Sequence, residues 1–269
     1  MLTEPWKGRV DPFCIFGNLY FIGTVPASSH LIDTGDGLIL IDTGYPQTAY
    51  LIIQSIWELG FKPADIRYIV HSHGHYDHTG ATRALVELTG AKTFIGSADA
   101  DMVSKPNNLN WASEHGYEFT EFFQPDVLLE NNDTVNLGNT CIRCVSTPGH
   151  TAGTLSFFFD AYDGKKTLRV GMHGGVGMNS MNQAYLKRMN LPPDMPVKFL
   201  HGLELLQKEH VDIFIGNHVG NNDTIGKAEI LKNNPDANPF IDESAWCVFL
   251  DNCRKKVMPE CVENSAQEV

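Results

Sequence analysis

The sequence lacks long apolar runs, and basic residues are scarce in it. No stretch approaches the roughly 20 consecutive apolar residues that a membrane-spanning helix needs, which argues against a membrane protein. Lys and Arg total 20 against 32 Asp and Glu, and the formal net charge is −12. Because nucleic-acid binding depends on clustered Lys and Arg, this balance argues against a nucleic-acid partner.

Two further features are missing. The amino terminus, residues 1–10, has no apolar core of signal-peptide length, so we expect a cytoplasmic protein, or a periplasmic or secreted one if a leader was removed. No Ser-x-x-Lys signature of a covalent serine mechanism occurs. Among six cysteines, Cys141-x-x-Cys144 is a weak redox or zinc signal, and we interpret both as small buried residues on opposite faces of a strand.

The feature that stands out is His73-x-His75-x-Asp77-His78, which packs three imidazoles and a carboxylate into six residues. The apolar segment Ile66–Val70 before it predicts a buried strand, and a helical pattern follows it. Neutral imidazole and carboxylate suit zinc. In an extended loop His73 and His75 point the same way and can hold one ion, whereas Asp77 and His78 can turn toward a second position.

This motif resembles the signature of the metallo-β-lactamase fold hydrolases. Further segments resemble the opening strands and the later ligand motifs of that family: Asn18–Gly23, Leu40–Gly44, Thr147–Thr154 with His150, and Ile215–His218. The resemblance runs from about Phe13 to Val257, nearly the whole chain. It implies two zinc ions per chain, with two sets of ligands: His73, His75 and His150 for the first ion, and Asp77, His78 and His218 for the second.

The ligand set is most similar to the third subclass of class B β-lactamases. Many other hydrolases of the fold carry an Asp that bridges the two ions, but Val170–Gly175 contains none, which counts against a lactonase or glyoxalase type. The resemblance therefore implies opening of a β-lactam amide by a metal-activated hydroxide, with Asp77 orienting it, and a role in antibiotic resistance. The alternatives are a metallohydrolase of another small molecule, such as a lactone or thioester, and a protein without hydrolytic activity, which the intact ligand set disfavours.

Other residues are weaker candidates. Asp42, at a strand end, is a candidate hydrogen-bond partner for a ligand imidazole. His173 falls near the position of the bridging Asp and could be an extra ligand, a partner of a metal-bound water or a chance surface histidine. His71 could support a ligand or be plain loop, and we favour loop. Aromatic residues in two irregular segments, 104–125 and 172–197, are candidate substrate contacts: Trp111, Tyr117, Phe123 and Tyr185.

The resemblance implies an αββα sandwich in the α/β class. We expect a single domain over residues 1–269, with two pseudo-symmetric halves at about 1–130 and 131–258 and a disordered tail at 259–269. The oligomeric state stays open. Segment 172–197 holds five of the eight methionines, and it follows a strand that should end beside the site. It could therefore form one wall of the pocket or simply fill the core beneath a loop.

Overall fold

Two β-sheets lie face to face between outer layers of helices in the computed structural model, which describes residues 3–267. The first sheet has seven strands in chain order: β1 (Phe13–Phe16), β2 (Leu19–Phe21), β3 (His30–Asp33), β4 (Leu38–Ile41), β5 (Ile66–Val70), β6 (Lys92–Gly96) and β7 (Val127–Leu129). Strands β1 to β4 pair antiparallel, and β4 to β7 pair parallel.

The second sheet has five strands, again in chain order: β8 (Thr134–Leu137), β9 (Thr140–Ser146), β10 (Leu155–Tyr162), β11 (Thr167–Met172) and β12 (Ile213–Phe214). Only the β11–β12 pair is parallel. The α-helices are α1 (Ala49–Glu58), α2 (Tyr76–Thr79), α3 (Thr82–Thr89), α4 (Ala100–Ser104), α5 (Gln183–Arg188), α6 (Met195–Leu206), α7 (Thr224–Asn233) and α8 (Ala245–Gln267).

The layers follow from the alternation of side chains along the strands. On β10, Phe157 and Phe159 pack between the sheets, whereas Phe158 between them faces the cluster formed with α6 and α8. On the other side, α1 and α3 pack against the first sheet through residues such as Ile52 and Leu85. The predicted four-layer αββα arrangement is confirmed.

Several details differ from the sequence predictions or add to them. Strand β3 was not predicted, because His30-Leu-Ile-Asp is short and ends in polar residues. Cys141 is exposed rather than buried, although Cys144 is buried on the opposite face. Helix α8 extends through Pro259 to Gln267, and residues 268–269 lie outside the described part, so disorder of the tail 259–269 stays a prediction. A proline removes one helical hydrogen bond, but packing of Val257 in the core anchors the helix just before it.

Within residues 3–267, no helix has the length and apolar character needed to cross a membrane.

Candidate metal centre

Six ligand-type side chains meet at one edge of the two sheets. The loop after β5 and the short helix α2 carry four of them, the β9–β10 loop carries His150, and the segment after β12 carries His218. His73, His75, His78 and His150 are buried, and Asp77 and His218 are partly exposed. Convergence of loops from both sheets is therefore what assembles the cluster, since His218 lies 140 residues from His78.

The six residues form the two sets that the resemblance implied. The ligand atoms of His73, His75 and His150 lie within 4.8 Å of one another, as do those of Asp77, His78 and His218. Zinc ligands at 2.0–2.1 Å in a tetrahedron are separated by about 3.3–3.4 Å. The donor chemistry and compact spacing of both sets therefore fit zinc.

Measured separations agree with this spacing. In the first set, Nε2 of His73 and Nδ1 of His75 are 3.1 Å apart. In the second, Nε2 of His78 lies 3.2 Å from Nε2 of His218 and 3.4 Å from Oδ2 of Asp77. The third edge, between His218 Nε2 and Asp77 Oδ2, is 3.7 Å. Each set could hold one ion with little rearrangement.

Backbone carbonyls determine which nitrogen of two histidines faces the site. Nδ1 of His150 lies 2.8 Å from the carbonyl oxygen of Gly177, and Nδ1 of His218 lies 2.5 Å from that of Pro26. Because a carbonyl oxygen only accepts, each Nδ1 carries the proton and donates it. Nε2 is left with a lone pair that points into the cluster, as a metal ligand requires.

Asp42 does the same for two other histidines. Its carboxylate accepts from Nδ1–H of His78 at 2.8 Å, from the hydroxyl of Ser72 at 2.6 Å and from the Ser72 backbone N–H at 2.7 Å. Because the Ser72 hydroxyl proton is committed to Asp42, its oxygen is left to accept from Nδ1–H of His73 at 3.0 Å. Asp42 therefore occupies the supporting position that the sequence predicted, and it orients one imidazole of each set.

The second set favours positive charge. Burial alone would lower the pKa of His78, but the negative charges of Asp77 and Asp42 outweigh it and raise that pKa to about 10. Burial would raise the pKa of Asp77, but His78 and His218 hold it well below its usual range. In the first set, burial lowers the pKa of His73 and of His75, and the neighbouring imidazoles lower it further. Both rings are therefore neutral and can offer a lone pair to a metal ion.

Sequence reasoning missed Asp99, which joins the two loops that carry the first set. Its buried carboxylate accepts from the backbone N–H of Gly74 at 2.8 Å, from the hydroxyl of Thr151 at 2.6 Å and from the backbone N–H of Gly153 at 2.7 Å. The only signal in the sequence is an acidic residue shortly after a buried strand, which is too common to be informative. Ser72 was missed for a similar reason, because its role depends on Asp42.

His71 and His173 stand outside both sets. His71 is buried and hydrogen-bonds the hydroxyl of Thr82 at 2.7 Å and the carbonyl of Phe94 at 2.9 Å, so it supports the loop base as the favoured interpretation expected. The His173 ring is also buried, which corrects the surface alternative, and its centroid lies 5.3 Å from that of Phe199. Its Nδ1 accepts from the backbone N–H of Gly175 at 3.2 Å.

The four candidate aromatic contacts divide into two pairs. Trp111 lies with its ring centroid 5.7 Å from His75 and 4.7 Å from Tyr185, so these two rings flank the first set. Tyr117 instead stacks on Tyr76 in a separate aromatic cluster. Phe123 packs with Ile95, Met102 and Val103. Of the four, only Tyr185 lines the cavity beside His75 and His150, and contact of any of them with substrate stays a prediction.

An αββα sandwich with two imidazole-rich clusters at its sheet edge is the architecture of a metal-dependent hydrolase. The family model described as metallo-beta-lactamase superfamily matches residues 22–164, which is more than half of the chain. The chain therefore belongs to the metallo-β-lactamase superfamily.

Solved structures extend the similarity beyond the family model. The native FEZ-1 metallo-β-lactamase of Legionella gormanii is 28% identical with a TM-score of 0.87, covering 96% of this chain and 98% of that one. The class B3 di-zinc metallo-β-lactamase LRA-12, from an Alaskan soil metagenome, is 28% identical with a TM-score of 0.83, covering 95% and 96%.

A curated relative in sequence has a different activity. The hydroxyacylglutathione hydrolase of Anaeromyxobacter dehalogenans is 30% identical over 127 residues. That match covers 47% of this chain and only 40% of the relative, so the chain spans less than half the length of that enzyme.

Proposed function

We propose that this chain is a dinuclear zinc hydrolase that opens the amide of a β-lactam ring. The observation that carries the proposal is the pair of three-residue sets, each with the donor types and spacing that suit a zinc ion. Similarity to FEZ-1 and to the di-zinc enzyme LRA-12 extends over at least 95% of the chain, whereas the similarity to hydroxyacylglutathione hydrolase covers less than half of it.

His73, His75 and His150 would hold one ion, and Asp77, His78 and His218 the other. Bound zinc lowers the pKa of a coordinated water toward about 7 and polarises a carbonyl oxygen. Asp77 would serve as one ligand of the second ion and could also orient the attacking water. Trp111 packs beside His75 of the first set, and Tyr185 packs against Trp111.

A β-lactam suits these residues because its strained carbonyl is electrophilic and its nitrogen leaves with developing negative charge. Electrostatic stabilisation of such charge is often the largest contribution to catalysis. In this chain the positive charge would come from the ions, since none of residues 172–180 is Lys or Arg.

We expect the zinc-loaded protein to hydrolyse at least one of a penicillin, a cephalosporin and a carbapenem. Turnover should be weak or narrow, because residues 172–180 offer no Lys or Arg to hold the substrate carboxylate. Steady-state absorbance assays measure this, and a chelator-treated sample is the control. Rapid opening of an acyl-homoserine lactone with no β-lactam turnover would contradict the β-lactamase proposal.

That result would favour the alternative, a metallohydrolase of a lactone or thioester. The supporting observation is the 30% identity to hydroxyacylglutathione hydrolase over 127 residues. The same zinc-bound protein, tested with a lactone and an S-acylglutathione, decides between the alternatives.

The protein purified without chelator should contain two zinc ions per chain, because the six ligand-type residues divide into two separate sets. Metal analysis by inductively coupled plasma mass spectrometry, together with the protein concentration, gives the ratio. A value that stays at one or below with excess zinc would show that one set is not a zinc site.

Replacing Asp42 by asparagine should weaken zinc binding about 10–100-fold, the usual cost of losing a partner of metal ligands. The side-chain NH₂ of the asparagine would then face hydrogen-bond donors that a carboxylate oxygen of Asp42 accepts from in the wild type. The backbone should tolerate the change, because Asp42 has φ 56° and asparagine adopts that conformation readily.

Competition with a zinc-chelating dye measures the dissociation constants. Asp223→Asn is the matched control, since Asp223 is exposed, has φ 54°, immediately precedes α7 and is not one of the six ligand-type residues. Equal zinc affinity of Asp42→Asn and the wild type would refute the assigned role of Asp42.

A further inference from the structure

A cavity of about 230 Å³ opens beside the first set, and we call it the side pocket. His75 and His150 form its metal-facing side. The remaining walls come from α4 and the following loop and from segment 172–197, chiefly through Met102, Leu109, Tyr185, Leu191 and Met195. Segment 172–197 therefore forms one wall of this cavity, which is one of the two alternatives that the sequence left open.

The walls are mainly apolar and adaptable. Tyr185, Leu186 and Met195 form a buried cluster against which Trp111 and Leu191 pack. Met102 belongs to a second apolar cluster on the opposite wall. Flexible thioether side chains line both sides, and such side chains fit apolar groups of varied shape.

Charges around the side pocket disfavour an anion. None of the lining residues is Lys or Arg, and the carboxylates of Asp99 and Asp101 both lie among them. Two nearby cations are already paired: Lys105 with Asp101 at 2.7 Å, and Arg188 with Glu114 at 2.8 Å. Away from its metal-facing side, a carboxylate placed in this pocket would lose hydration without gaining a Lys or Arg partner from the walls, which is strongly unfavourable.

The volume limits the size of the occupant. An apolar cavity of about 150 Å³ holds one benzene molecule in another protein, so about 230 Å³ accommodates a phenyl ring with a methylene or two. We propose that the side pocket binds an uncharged, apolar substituent of the substrate, of about benzyl size, attached next to the scissile carbonyl. This assignment rests on the proposed metallohydrolase function and narrows its substrate class.

Three hydroxamic acids that share a metal-binding head test the assignment on zinc-loaded protein by isothermal titration calorimetry. Acetohydroxamic acid leaves the side pocket empty, phenylacetohydroxamic acid fills it with a phenyl ring, and the monohydroxamate of succinic acid carries a carboxylate. Burial of a phenyl ring should tighten binding about 10-fold or more relative to acetohydroxamic acid. The succinic compound should bind more weakly than either.

Variants at Leu191, which is only partly buried, show whether the side pocket causes the preference. Leu191→Asp should remove most of the advantage of the phenyl compound, and Leu191→Lys should strengthen binding of the succinic compound. Leu88→Asp is the matched control, because Leu88 is exposed on α3 and lines no part of the cavity. It should leave all three affinities unchanged.

Three outcomes would each overturn the assignment. They are equal affinities for the three compounds, tightest binding of the succinic compound, and a preference for the phenyl compound that is undiminished in Leu191→Asp. Metal analysis of the same samples shows whether zinc has bound. A failure to bind zinc would contradict the proposed function instead.

In that event phenylacetamide and acetamide, which need no metal, are compared by ligand-observed NMR. Binding of phenylacetamide that Leu191→Asp abolishes would still support the side pocket, and equal binding of the two amides would overturn it.

Discussion

Replacing His75 by alanine is expected to reduce hydrolysis more than about 100-fold, because loss even of a partner of a metal ligand costs about 10–100-fold. The change removes one of the three donors of the first set and leaves His73 and His150 to hold the ion. Zinc content should fall from two ions toward one. Steady-state turnover and metal analysis on the same preparation measure both effects.

The fold should survive this substitution. His75 lies in a loop, and the core consists of apolar side chains between the sheets and beneath the helices. His201→Ala is a suitable control, since the His201 side chain is 71% exposed on α6. A His75→Ala protein with a native circular dichroism spectrum, two zinc ions and wild-type turnover would refute the assigned ligand role.

Removal of zinc is expected to lower the melting temperature by about 8–16 °C. A ligand present at 1,000 times its dissociation constant stabilises the native state by about 4 kcal/mol, and each kcal/mol moves the melting temperature of a chain of this size by about 2–4 °C. The physical cause is the crowding of buried neutral imidazoles, such as the rings of His73 and His75 with centroids 4.7 Å apart. Without a cation, their converging lone pairs have no common partner.

Differential scanning calorimetry before and after treatment with a chelator measures the shift, and addition of zinc to the treated sample should reverse it. The His75→Ala variant should show a smaller shift than the wild type, since it retains one complete set. A melting temperature unchanged by chelator in a sample shown to have lost its zinc would mean that the ions do not stabilise the fold.

Much of this protein can be predicted from its sequence, because local patterns dictate local structure. The apolar run Ile66–Val70 forms the predicted strand, and Pro46 and Gly60 bracket the predicted helix. The density of imidazoles at His73–His78 predicts a metal site without any knowledge of the fold, because so many donors rarely fall together by chance. Resemblance of short segments to family motifs added His150 and His218, whose separate positions in the chain carry no such signal.

Tertiary structure alone decided what surrounds those ligands. Asp99 gains its role only because the loops of Gly74 and Gly153 converge on it, and Ser72 gains its role from a carboxylate 30 residues earlier in the chain. The side pocket likewise depends on two segments about 80 residues apart, and Tyr117 and Phe123 proved to lie outside it. Sequence patterns report which side chains can bind a metal or enter a core, but contacts between distant segments depend on how the sheets pack, and packing has no local signature.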